Sequence, residues 1–482
     1  MRKPLAGLLV TAILLSSAPA PLLAHGRLKS SSPSAGEHLT QVPKQIRLDF
    51  SESPELLFTS VRLLAANGRE ISLGVLAFAP DSRRAIVVPV TGAMEGGPYV
   101  VMWQMGGDDG HPVRGRFEFV VAPGAMGAGA TASEMAGMHH DPVAMPEGNG
   151  FGAESPLYVV IRWVEFTALL LIVGAVTFRT FVLRALRRDT RPAGARVEPA
   201  FATDAERHAA TTGRIAVGAL AATLVLRLLA QSYAMHGAAS AYDMGLMGSM
   251  VRTTMWGWGW LLQLVGIVLA GLGFQRARGA SRDVGATSVR PGGHDPASSW
   301  RLATYGAVAA TFSPAFSGHA ASAPTLRALA IVSDGLHVLG ASSWLGTLAI
   351  VLIAGLTAAM RQAPEARGPL VRSLIYAFSP VALASAGVAA TTGVFAAWLH
   401  VGTIPNLWGT RYGITLLIKL AILGIVALTG FYNWRYVQPR LGTDQATTRL
   451  QRSARIEVAV AVLVLLVTAV LVASPTSMDA TM

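Results

Sequence analysis

Imidazole, carboxylate and thioether are the metal-capable side chains of this sequence, which has 11 His, 16 Met and no Cys. The absence of thiols removes disulfides, CxxC redox pairs, thiolate zinc sites and iron–sulfur clusters. Any metal must then be held by His, Met, carboxylate or backbone groups. The candidates fall into groups. His25 stands near the start, and Asp109-Gly-His111-Pro forms a compact motif. Met135, Met138, His139, His140 and Met145 follow within a short stretch, and Met235, His236, Met244, Met247, Met250 and Met255 within another. Asp334 and His337 stand at i, i+3, which places them on one helix face, continued by Ala341 and Trp344, with His319 upstream. Imidazole suits borderline ions and thioether soft ones. Taken alone, Asp-Gly-His is ordinary turn chemistry and repeated Met is often apolar filler.

The elements that must position these groups follow from composition. Of 482 residues 52% are hydrophobic and 14% charged, with mean hydropathy +0.46, against ~25% charged in an ordinary soluble protein. This is the composition of an integral membrane protein. The formal charge of +12 lies mostly between apolar runs rather than on one face, so the expected partner is a lipid bilayer and not a nucleic acid. Arg2 and Lys3 precede an apolar run over residues 5–15, then Ser16, Ser17, Pro19 and Pro21. That pattern is a secretory signal peptide, too short to span, and we place it at 1–24 with His25 as the first mature residue.

Residues 25–121 hold period-two stretches at 45–50, 60–64, 85–89, 99–103 and 115–120, separated by Gly, Pro, Asn and Asp. They predict an all-β sandwich. Residues 122–152 are rich in Gly, Ala and Met without periodicity and read as a linker with soft ligands. From 153 to 482 the chain predicts an all-α bundle of eight membrane helices, near 156–183, 213–234, 255–274, 302–318, 327–356, 373–398, 411–432 and 456–474. Arginines cluster after the first, third, fifth and seventh stretches and are sparse in the other loops. By the positive-inside rule the sandwich and both termini lie outside the cytoplasmic membrane.

At 1.5 Å per residue, Glu165 falls ~13 Å below the outer start of the first helix, Asp334 and His337 ~10–15 Å down the fifth, and Lys419 ~12 Å down the seventh. Arg227 stands ~10 Å from the outer end of the second helix, and His319 ends the fourth. All occupy the outer half, the inner half offering mainly Ser and Thr such as Ser342, Ser343, Ser379 and Ser385. For Glu165, Arg227, Asp334 and Lys419 both mutual neutralisation and function fit. Imidazole needs no neutralising partner, which favours a metal role for His319 and His337.

The start at His25-Gly-Arg-Leu-Lys, the segment 43–51, the segment 99–103 and Asp109-Gly-His-Pro-Val-Arg-Gly115 together resemble the periplasmic copper-binding CopC family. The segment 316–320, the segment 334–346, Lys419, Asn433 and Glu457 resemble CopD. The chain therefore looks like a CopC–CopD fusion, multidomain, with a Greek-key sandwich of immunoglobulin or cupredoxin type ahead of the eight-helix bundle. The resemblance implies Cu(II) in a histidine brace, with the His25 amine and ring and the His111 imidazole as ligands and Asp109 as a further oxygen ligand or hydrogen-bond partner. Gly107 and Asp108 depart from the family's usual residues before the motif.

The resulting expectation is copper homeostasis and resistance in the inner membrane. The sandwich captures periplasmic Cu(II) and the bundle imports copper through a site built on His319, Asp334 and His337. Met135, Met138, His139, His140 and Met145 are a candidate Cu(I) relay or a plain tether, and periplasmic copper donors are further candidate partners. Extended, the linker spans up to ~100 Å, and as a random coil ~30 Å. The alternative is periplasmic sequestration with the bundle as anchor. A copper- or haem-dependent redox enzyme is a third and weaker reading, as no CxxCH is present, and the chain is read as a non-enzyme.

Overall fold

The computed structural model describes residues 28–123 apart from Glu52 and 107–111, then 155–188, 199–283, 295–321 apart from His319, 326–437 and 444–474. The expected signal peptide lies outside the described residues.

Alternation builds the first domain. Nine strands form two sheets: β1 (Leu28–Ser32), β3 (Gln45–Phe50), β7 (Ser82–Pro89) and β6 (Ala77–Ala79) in that spatial order, and β2 (His38–Leu39), β9 (Pro112–Val121), β8 (Gly97–Gly106), β4 (Glu55–Ala65) and β5 (Glu70–Ile71). Ile46, Leu48 and Phe50 of β3 face Val101, Trp103, Phe117 and Phe119 of the other sheet in one core, as two-residue periodicity requires. The ring of Phe50 meets Trp103 edge-on at 5.3 Å. Gly115 leaves room for that indole, because a Cβ there would fall 2.4 Å from it. On the solvent face Arg47 bridges Asp49 and Asp81, and hydrogen bonding from Arg47 holds the Asp81 carboxyl below its ordinary range. Arg62 does the same for Glu70.

The helical part runs α1 (Pro156–Arg188), α2 (Pro199–Ser240), the connecting α3 (Met244–Thr253), α4 (Met255–Asp283), α5 (Pro296–Phe312), α6 (Arg327–Met360), α7 (Pro364–Val401), the short α8 (Asn406–Gly409), α9 (Arg411–Tyr436) and α10 (Asp444–Ala473). Among the described residues seven helices are long and apolar enough to cross a membrane: α1, α2, α4, α6, α7, α9 and α10. The eighth expected stretch is α5, with 17 residues, continued by the 3₁₀ turn Ser313–Phe316. Together they reach roughly 33 Å, comparable to a hydrocarbon core of about 30 Å. Several helices start earlier than hydropathy indicates. In α2 the residues Phe201, Ala202, Ala205 and Ala209 form a buried stripe at helical spacing, so the helix continues past the apolar window as an amphipathic rod.

α1 and α6 touch through backbone. A Cβ on Gly174 would sit 2.3 Å from Gly346, and one on Gly346 would sit 2.0 Å from the Leu170 carbonyl oxygen. Such approach of small residues is how membrane helices pack without a hydrophobic drive between them. An up-and-down bundle makes these two helices parallel. Arg162 and Asp334 each stand twelve residues before the crossing glycine, so they come to the same level. At the arginine-rich ends, Glu206 of α2 pairs with Arg179 and Arg187 of α1, and Asp204 with Arg361, the residue that follows α6.

Gly346→Ala should force α1 and α6 apart and destabilise the bundle by about 1–3 kcal/mol, read as a lowered thermal midpoint in detergent. Gly387→Ala, where nothing lies within 4 Å of the new Cβ, should leave the midpoint unchanged.

Candidate metal-transfer site

Glu165, which the sequence places in the outer half, is wholly buried. Its carboxylate accepts from Arg227 of α2 at 2.6 Å, Gln263 of α4 at 2.8 Å and Arg162 of α1 at 3.1 Å. Arg227 also donates to Ser317 at 2.8 Å and lies over the Trp256 ring at 5.7 Å. Glu165 and Arg227 thus do neutralise one another, within a network the sequence reading incompletely saw. Arg162, Gln263 and Ser317 were missed, although Arg162, an arginine inside an apolar run three residues before Glu165, carried a readable signal.

Asp334 is half-buried on α6. It acts electrostatically with Arg162 of α1 and with Lys419 of α9. His337 turns toward α7, its Nδ1 lying 2.9 Å from the Ala389 carbonyl oxygen and 3.2 Å from Thr392 Oγ1. A carbonyl oxygen only accepts, so Nδ1 carries the proton, and in the neutral ring Nε2 is the lone-pair nitrogen. This is the arrangement that readies imidazole for a metal, with the second nitrogen anchored. Asp334 stands one turn before His337 on the same helix, and Lys419 lies within electrostatic reach of the ring.

Among the described residues no group of three or more His, Asp or Glu side chains is placed to hold a metal together. His319 lies outside the described residues. Its neighbour Ala320 packs with Ala330 and Leu399, and Ala330 precedes His337 by about 10 Å of helix. His25, Asp109, His111 and the linker residues Met135, Met138, His139, His140 and Met145 also lie outside the described residues.

The strand ends next in sequence to residues 25 and 107–111 nevertheless converge. Leu28 at the start of β1 pairs with Phe50 at the end of β3. A short connection leads to Glu55, which pairs with Gly106, and Gly106 pairs with Pro112. All therefore lie at one end of the sandwich, and residues beside that end dock on the bundle. α2 breaks at Gly237, which has φ 72°, leaving carbonyls of its last turn without helical partners. Gln104 donates to the Met235 carbonyl at 3.0 Å and Arg114 to that of Ala234 at 3.2 Å, a cationic cap suited to a helix C-terminus. Phe58 packs with Met235, Met250 and Trp256, and its ring lies 5.4 Å from that of His236.

Of the methionines from the end of α2 through α3, Met235, Met247 and Met250 are buried and Met244 is exposed. They are chiefly apolar core, with Met250 and Met235 forming the junction. The inner half also differs from expectation. Glu457 is buried and accepts a hydrogen bond from Asn433, so a carboxylate sits near the arginine-rich ends of α9 and α10. Serines are not its only polar groups.

With no native cysteine, spin labels at Val75→Cys and Met244→Cys, both well exposed, report the docking cleanly. The native surface should give one narrow distance distribution, broadened by the double change Gln104→Ala and Arg114→Ala. A distribution equally narrow in that variant would contradict the capping account.

Comparison with known proteins bears on both halves. Residues 28–122 match the CopC domain, residues 153–328 the copper resistance protein D-like N-terminal domain and residues 372–471 copper resistance protein D. The copper transport protein CutJ of Bacillus subtilis is 24% identical over 467 residues, which is 97% of this chain and 77% of CutJ. Copper resistance protein C of Escherichia coli is 28% identical over 106 residues, 20% of this chain and 82% of that protein. The crystal structure of CopC from Methylosinus trichosporium is 31% identical and covers 21% of this chain and 96% of that one, with a TM-score of 0.20. A CopC domain ahead of both parts of copper resistance protein D makes this chain a CopC–CopD fusion.

Proposed function

We propose that the protein captures Cu(II) outside the cytoplasmic membrane on its sandwich and passes copper to the bundle for import. The observation that carries this reading is the junction. The sandwich end formed by Leu28, Gly106 and Pro112, the described residues next in sequence to residues 25 and 107–111, is the end beside which Gln104 and Arg114 cap α2. Capture and delivery then occur within one molecule, so no second encounter is needed.

In this reading the His25 amine and ring and the His111 imidazole hold Cu(II) in a brace, with Asp109 contributing more weakly. The next station is His337, whose Nε2 the Ala389 carbonyl leaves as acceptor, together with Asp334 and His319. Met135, Met138, His139, His140 and Met145 serve as tether and as soft contacts for Cu(I). Copper is cargo at every step, and no catalytic residue is assigned. The N-terminal domain and the C-terminus lie on the periplasmic side, and 1–24 is removed on export.

The competing reading, sequestration with the bundle as anchor, would draw support from an inner half without charged groups, because a permeating ion needs ligands along its path. The buried Glu457 with Asn433 removes that support.

Cu(II) capture by a terminal amine depends on processing, so one residue added ahead of His25 should weaken Cu(II) binding by orders of magnitude in a competition titration. His111→Ala should do similar damage and Asp109→Ala less, since a supporting ligand contributes less. Acidification should release the metal as amine and imidazole protonate. Unchanged affinity in the extended protein would sink the brace.

A further inference from the structure

We propose that His236, at the junction of sandwich and bundle, is a ligand for a soft monovalent ion, Cu(I) or its surrogate Ag(I), together with a thioether of the Met235 and Met250 cluster. The inference rests on the reading that copper passes from sandwich to bundle, and it names where the ion would be held on the way.

The hydrogen-bond pattern at this ring carries the argument. Ser232 is fully buried and its hydroxyl lies 2.6 Å from the Ala241 carbonyl oxygen. A carbonyl only accepts, so the single hydroxyl proton of Ser232 is committed there. His236 Nδ1 lies 3.1 Å from the same Oγ and must be the donor. The neutral ring therefore presents Nε2 as a bare lone pair. That nitrogen is buried and has no hydrogen-bond partner. Buried polar atoms are nearly always satisfied, and an orphan in a native fold calls for an explanation such as an ion.

The surroundings match a soft ion. Phe58 of β4 covers the imidazole at 5.4 Å and belongs to the same buried cluster as Met235, Met250 and Trp256. Thioethers are flexible, polarizable ligands that prefer Cu(I). Gly106, at the end of β8, lies against Met235, since a Cβ there would fall 2.8 Å from the Met235 methyl carbon. The Gln104 and Arg114 caps on the carbonyls of Met235 and Ala234 fix the sandwich in register with this one turn of α2. Neither His337 nor Glu165 belongs to this cluster. Copper leaving the brace as Cu(II) reaches this site only after one-electron reduction by an external reductant such as a small-molecule thiol, and coordination at His236 itself involves no change of oxidation state.

The test is a titration of the full-length protein in lipid nanodiscs with Ag(I) alone, against a competing chelator. His236→Phe, which keeps a ring against Phe58, should lower the stoichiometry by one equivalent. Ser232→Ala, which removes the acceptor of Nδ1–H but no ligand, should weaken that equivalent about tenfold, the lower range for loss of a supporting group. Unchanged tryptophan fluorescence would verify folding of both variants. Full stoichiometry in His236→Phe, or native affinity in Ser232→Ala, would overturn the proposal. Neither readout depends on transport: full Ag(I) stoichiometry in His236→Phe beside normal copper uptake would remove this site alone, whereas absent uptake beside the expected Ag(I) loss would remove the import reading and leave the site.

Discussion

A carboxylate buried inside a membrane bundle has to be satisfied by protein alone, and Glu165 is where this constraint is met. An unpaired charge at the centre of a bilayer costs about 2.5–3.5 kcal/mol on insertion scales. Here Arg162, Arg227 and Gln263 converge on the one carboxylate. Removing one partner of such a buried pair typically costs about 3–5 kcal/mol, because the other is left unpaired. The network ties α1, α2 and α4 together at one depth, and through Ser317 it reaches the turn after α5. The second charged layer depends on it. Arg162 spends a hydrogen bond on Glu165 and its field on Asp334, while the Gly174–Gly346 crossing sets the level at which α6 presents Asp334 and His337.

Away from that frame two imidazoles are anchored in the same way. His337 and His236 each give Nδ1–H to an oxygen acceptor, the Ala389 carbonyl in one case and Ser232 Oγ in the other. Both are left with Nε2 as the lone-pair nitrogen. The sandwich joins the bundle because the break of α2 at Gly237 exposes carbonyls that Gln104 and Arg114 satisfy. Helix termination and domain docking are thus one event. A tether alone would hold the sandwich nearby, whereas the caps set its orientation.

Much of this was legible in the sequence. Alternating residues such as Ile46, Leu48 and Phe50 announce the sandwich, and apolar length with arginine spacing announces the bundle. The resemblance to CopC and CopD was carried by a few motifs and is supported across the chain by the matched families. What escaped has physical causes. β1, with the sequence Leu-Lys-Ser-Ser-Ser, is an edge strand held by pairing to β3, and edge strands need no apolar alternation. The amphipathic start of α2 falls below any hydropathy window. Arg162, Gln263 and Ser317 matter only through partners on other helices, which spacing along one helix does not reveal. His236 was visible, but its tautomer depends on Ser232 and Ala241, and only the fold brings these together.

The central claim is that copper enters the membrane half at the outer-half site around His337. The most direct measurement is uptake of labelled copper into sealed vesicles oriented with the sandwich outside, comparing the native protein with His337→Ala at equal protein level. The account expects accumulation above that of protein-free vesicles in the native case and the protein-free rate for His337→Ala. Uptake by His337→Ala at the native rate, or no uptake by the native protein, would contradict it.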